Sequence, residues 1–126
     1  MRTTGKCFFD EAGAMTTIIL KLEPEKLENP DLDLRYLIPD LLRDRSNGLI
    51  QDDGYDYGTE SDTLYLFLLT ENADVAEKTV LEFIQNERVL GNDLRNGVTA
   101  AMAKDAESTD YRVFFPDNFQ GQFNLK

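Results

Sequence analysis

The chain predicts an α+β fold, a sheet of strands packed with two helices, and three observations carry that prediction. In Thr63 to Thr70, Leu64, Leu66 and Leu68 point one way and Tyr65, Phe67 and Leu69 the other, so a strand here is apolar on both faces and belongs inside a sheet. Thr16 to Leu22 sets Ile18, Leu20 and Leu22 against Thr17, Ile19 and Lys21, a strand buried on one face and partly covered on the other. Two further stretches place apolar residues at three- and four-residue steps: Leu34, Leu37, Ile38, Leu41 and Leu42, then Val75, Ala76, Thr79, Val80, Phe83 and Ile84. Those are the buried stripes of two amphipathic helices.

In chain order, MRTTGKCFFDEAGA reads as a leader or tag-like segment (1–14), because Met15 opens directly onto the first strand. Pro24 and the charges from Glu23 to Asn29 make a loop, and Asn29-Pro30-Asp31 supplies an N-cap, a first-turn proline and a dipole-matched acid for the first helix. Pro39 is expected to kink that helix or divide it, and Asn47-Gly48 to end it. Leu49 to Tyr57, interrupted by Asp52-Asp53-Gly54, reads as an edge strand with a bulge, joined by a loop at 58–62 to the central strand at Thr63 to Thr70. Asn72 caps the second helix. Arg88 to Gly97, rich in Gly and Asn, reads as an irregular connection. Val98 to Lys104 has alanines that favour helix, but Gly97 before it and a polar turn after it favour a strand, paired with a last strand at Tyr111 to Phe115 that Pro116 ends. A single domain at 15–116 with a polar tail at 117–126 follows.

This order of strand, helix, strand, strand, helix and one or two strands resembles the ferredoxin-like βαββαβ plait, a two-layer sandwich, over about Thr16 to Phe115. The resemblance implies an antiparallel sheet in which the first and third strands are central and both helices share one face, and it names no function, since that plait hosts many.

Composition narrows the function classes. With 41% hydrophobic residues, including eight Phe and five Tyr, the chain has the means to fold, so disorder is not expected. Thirteen basic against 24 acidic residues give a net charge of −11, which repels phosphate backbones and anionic lipid and favours a basic protein partner. Neither nucleic acid nor membrane is therefore an expected partner. Cys7 is the only cysteine, so no intramolecular disulfide can form and a cytoplasmic, reducing location is expected.

Three constellations stand out. The acidic hairpin Asp52, Asp53, Asp56, Glu60 and Asp62 clusters carboxylates, yet as a calcium loop starting at Asp52 it finds Tyr57 where Gly is needed and Thr63 where Glu is needed. No metal or other cofactor is expected. Tyr55 and Tyr57 beside those acids combine apolar area with a hydroxyl, the composition of a binding surface or of edge-strand packing. The third is the face opposite the helices, Ile19, Tyr65, Phe67, Leu69 and Phe114, which the Phe119 and Phe123 tail, the Phe8 and Phe9 leader, a second copy, a partner protein or a small ligand would cover. Arg88, Asn92, Asp93 and Arg95 form a fourth polar group that loop capping explains as well as a site does.

Catalytic equipment is sparse: the chain has no His and no Ser in a nucleophile-elbow pattern. The expectation is a non-enzymatic interaction domain whose acidic edge, Asp52 to Asp62 with Tyr55 and Tyr57, docks a basic protein. In charge and size it is similar to the small acidic immunity proteins that mask bacterial toxins, which implies an inhibitor role. The alternatives are a dimeric module binding a small ligand on the sheet face near Tyr65 and Phe67, and an enzyme using carboxylate and Tyr acid–base chemistry.

Overall fold

The alternating and three-to-four-residue patterns resolve into strands and helices of an α+β fold in the computed structural model, which describes residues 15–31, 33–58, 63–103 and 111–116. The expectations for the 1–14 leader, the 117–126 tail, Lys104, Glu60 and Asp62 lie outside the described residues. The elements are β1 (Thr16–Leu22), α1 (Leu34–Arg45), β2 (Ile50–Tyr57), β3 (Leu64–Thr70), α2 (Ala73–Asn86), β4 (Arg88–Val89), β5 (Asn92–Asp93), β6 (Val98–Ala103) and β7 (Tyr111–Phe115). Five of the strands form one antiparallel sheet in the order β2-β3-β1-β6-β7, and β4 and β5 form a small separate hairpin. The middle of the sheet is thus β1, with β3 beside it.

Strand alternation and register together build the core. Ile18 lies between Leu68 and Met102, Leu20 between Leu66 and Ala100, and Leu22 between Leu64 and Val98, three rows that cross the sheet on one face. Leu34, Ile38 and Leu42 of α1 and Ala76, Val80, Phe83 and Ile84 of α2 join those rows in one buried cluster. Val75, expected in that stripe, is 47% exposed instead, because the buried positions 76, 80, 83 and 84 centre the stripe about one residue further on. The alanines of β6, ambiguous between helix and strand, form a strand buried at every position, where small side chains fit beside the large ones of β1.

The opposite face is also buried in part. Ile19 and Ala101 are fully buried and Tyr65 is 3% exposed, while Phe67 and Leu69 are half-buried. Phe114 does not share that face. It joins the helix-side cluster, since Arg112, two positions before it, pairs with Met102 and its guanidinium reaches Glu77 of α2.

Two helix ends differ in how well they follow local signals. The α1 terminus is set by left-handed Asn47 (φ 55°) and Gly48 (φ 85°), with Gly48 N–H donating to the Arg43 carbonyl at 2.8 Å and Asn47 N–H to the Asp44 carbonyl at 3.3 Å, the Schellman arrangement. Its start, by contrast, is not at Asn29. Helix α1 opens at Leu34 with Asp33 at the N-cap position, because Asn29 is engaged elsewhere: its N–H donates to Asn92 Oδ1 at 2.6 Å and its Nδ2 to the Leu90 carbonyl at 3.1 Å. Pro39 does not divide the helix, which runs unbroken from Leu34 to Arg45.

Candidate functional site

The site is built at the β2 edge of the sheet. Every residue from Gln51 to Tyr57 is exposed, and among the described residues β2 has a sheet neighbour, β3, on one side only. The register shows how its side chains divide. Asp52, Tyr55 and Tyr57 stand opposite Leu68, Leu66 and Leu64, on the helix side, whereas Gln51 and Asp56 stand opposite Leu69 and Tyr65, on the other. Between them Asp53 and Gly54 together oppose Phe67, a bulge that Gly54 permits with φ 99°. Alternation keeps the two tyrosines on one side, and the bulge makes that side the one Ile50 and Asp52 share, facing the helices.

On that helix side the tyrosines meet α1. The Tyr36 and Tyr55 rings lie edge to face, with centroids 6.2 Å apart and planes at 89°, and Tyr55 and Tyr57 repeat the arrangement at 5.9 Å and 80°. Arg35 ties the group together: its guanidinium carbon is 4.7 Å from the Tyr36 ring centre and 5.2 Å from that of Tyr55, and Nη1 donates to the Tyr57 hydroxyl at 3.2 Å. Arg35 Nε is buried without a hydrogen-bond partner, consistent with its seat against aromatic surface. The rings nonetheless stay open to solvent, with Tyr36 49% exposed and Tyr55 and Tyr57 each 41%.

The electrostatics of the cluster follow from this contact. Hydrogen bonding with Arg35 holds the Tyr36 hydroxyl below the usual phenol range, and the neighbouring Tyr36 hydroxyl raises that of Tyr55. The Arg35 guanidinium is in turn held more firmly protonated by Tyr36 and Tyr57.

Charge pairing covers only part of the acidic surface. Arg43 pairs with Asp40 at 3.6 Å, Arg88 with Asp93 at 3.9 Å and Arg95 with Asp93 at 2.7 Å, while Arg45 pairs with Glu87 and Arg112 with Glu77. Among the described residues Asp52, Asp53 and Asp56 make no ion pair; Asp52 Oδ1 instead accepts the Gly54 N–H at 2.9 Å and Asp56 Oδ1 the Tyr57 N–H at 2.8 Å. Three carboxylates therefore line one edge strand with no ion pair among the described residues.

Of the other constellations, Arg88, Asn92, Asp93 and Arg95 come together at the β4–β5 hairpin. Asp93 accepts from Arg95 Nε at 3.0 Å and from its backbone N–H at 3.1 Å, and Arg95 holds its carboxyl down to about 2, which keeps it an ionised clamp on the turn at Leu94–Asn96 near neutral pH. Ile19, Tyr65, Phe67 and Leu69 share the helix-free face as expected, and Phe114 is separated from them. A small groove of about 30 Å³ opens beside Tyr57, lined by Leu22, Leu27, Leu34 and Leu64 and bordered by Asp31. It has room for roughly two waters.

Sequence reasoning found Tyr55, Tyr57 and the acids but not Arg35 and Tyr36, which fall on the wet side of the α1 stripe. Their signal is the pairing of a helix's polar face with an aromatic edge strand, legible only once α1 and β2 are adjacent. No family model, curated protein or solved structure matches the chain.

Proposed function

We propose that this chain is a non-enzymatic interaction domain that docks a basic protein along the β2 edge. The observation that carries the reading is the juxtaposition on one edge strand of three carboxylates with no ion pair among the described residues, Asp52, Asp53 and Asp56, and an exposed tyrosine cluster locked by Arg35. Rigid aromatic anchors beside a charged rim are the composition of binding hot spots. The carboxylates steer a cationic partner and the tyrosines supply contact area. Masking a basic partner, as small acidic immunity proteins do, is the inhibitor role this reading implies. Glu60 and Asp62 belong to the same acidic hairpin by sequence.

The strand order supports a finer reading of the fold. Removing β7 and the β4–β5 hairpin leaves β2-β3-β1-β6 antiparallel with both helices in one core cluster, the arrangement of a ferredoxin-like plait. In this reading β7 is an added strand on the far edge, so the β2 edge stays free. The burial of Ile19 and Tyr65 favours the edge over the sheet face as the docking surface.

Capture experiments test the proposal. The immobilised chain should retain basic proteins from a cell extract at low salt and release them as salt rises, and the D52N/D53N/D56N variant should retain markedly less. Equal retention by the two proteins contradicts the reading.

A further inference from the structure

The free edge of β2 has a chemistry on each side, and the two differ. Gln51 to Tyr57 are exposed, so the outer main-chain groups of β2 face no other strand among the described residues. A strand laid against that edge sends alternate side chains to the two faces of the sheet. Those on the helix side meet Asp52 towards one end and, beyond the bulge, the rings of Tyr55, Tyr57 and Tyr36 with the Arg35 guanidinium already among them, a stretch that accepts apolar groups and opposes another cation. Those on the other side meet Gln51 and Asp56, with Asp53 at the bulge between, and no ion-pair partner among the described residues.

Resting on the proposed docking of a basic protein at this edge, we infer that the partner binds by strand addition: an extended segment with basic residues at alternate positions and apolar residues between them pairs with β2 and lengthens the sheet. Main-chain hydrogen bonds supply the attachment and the two-faced pattern supplies the selectivity. A second copy of the chain is a poor occupant, because β2 against β2 brings the same three carboxylates together across one edge. The aspartates thus serve in two ways. They block pairing with neutral or acidic strands, the usual protection of an exposed edge, and they admit a basic one.

The experiment uses the full chain and a labelled eight-residue peptide alternating Lys and Val, read by fluorescence anisotropy at low salt. Two further peptides carry N-methyl groups on all the lysines or on all the valines, which blocks main-chain pairing along one edge or the other while leaving the charge intact. Strand addition predicts that the parent binds, that one methylated peptide binds at least about tenfold more weakly, and that the other keeps most of its affinity. If all three bind alike and all weaken on D52N/D53N/D56N, strand addition is overturned while the basic-docking proposal stands. If the parent fails to bind, or binds D52N/D53N/D56N as well as the unaltered chain, both are overturned.

Discussion

Asn92 is fully buried, and each of its amide atoms meets backbone: Oδ1 accepts from Asn29 N–H at 2.6 Å, and Nδ2 donates to the carbonyls of Asn29 at 2.7 Å and Val89 at 3.1 Å. One side chain thereby pins the loop before α1 to the β4–β5 hairpin. Asn92→Ala should lose these bonds and leave buried backbone groups unsatisfied, at a cost of about 2–4 kcal/mol read from the urea midpoint. Nothing local announces this pairing, since its partners are 63 residues apart; Asn29 looked like a helix cap because its own neighbours, Pro30 and Asp31, fit one. Asp93 makes a pH prediction. Its carboxyl is held at about 2, below the ordinary 3.8, so the stabilisation by Arg95 is complete above the ordinary value and is lost as pH falls through about 2. The difference in unfolding midpoint between the unaltered chain and Arg95→Met should accordingly be constant near neutrality and close during acidification from about pH 4 to 2. A difference that persists at the acid end would show that Arg95 acts through packing rather than charge.

At the scale of elements, β2 shows most clearly how local chemistry sets the site. Gly54 has φ 99°, and a Cβ placed there would touch nothing, so Gly54→Ala isolates backbone strain from crowding. It should destabilise the fold by about 1–2 kcal/mol and turn Tyr55 and Tyr57 away from Arg35, seen as loss of near-ultraviolet circular dichroism from the tyrosines. An unchanged spectrum would mean that the bulge does not aim the tyrosines. The Asp52-Asp53-Gly54 interruption made the bulge legible in the sequence, as alternation made β1 and β3 legible and the Asn47-Gly48 pair the end of α1. The β4–β5 hairpin was hidden for a physical reason. Its two-residue turn places Leu90 at φ 53° before Gly91 at φ 83°, and leucine in a left-handed conformation carries no turn signal in sequence. Pro39 does not divide α1, because the surrounding apolar positions Leu34, Ile38 and Leu42 hold the helix together across it.

Across the whole molecule, charge and architecture converge on one edge. The net charge of −11 says only that the surface is acidic, and the strand order adds that three of the acids lie on an edge strand. Arginines elsewhere pair with some carboxylates and leave others unpaired; what sets the β2 aspartates apart is their place, on a strand with no outer neighbour among the described residues and beside the tyrosine cluster. The acids and two of the tyrosines were legible one by one in the sequence. The other half of the site, Arg35 and Tyr36, was not, because it depends on α1 packing next to β2. Affinity for a seven-lysine peptide, measured for two variants that lose the same number of charges, separates a built site from bulk acidity. One is D52N/D53N/D56N; the other neutralises Glu25, Glu71 and Glu82, exposed carboxylates on other elements, to Gln. At low salt the edge variant should bind at least about fivefold more weakly than the control variant, and the gap should shrink as salt rises. Equal losses in the two variants would contradict the account, because the peptide would then be responding to net charge and not to the β2 edge.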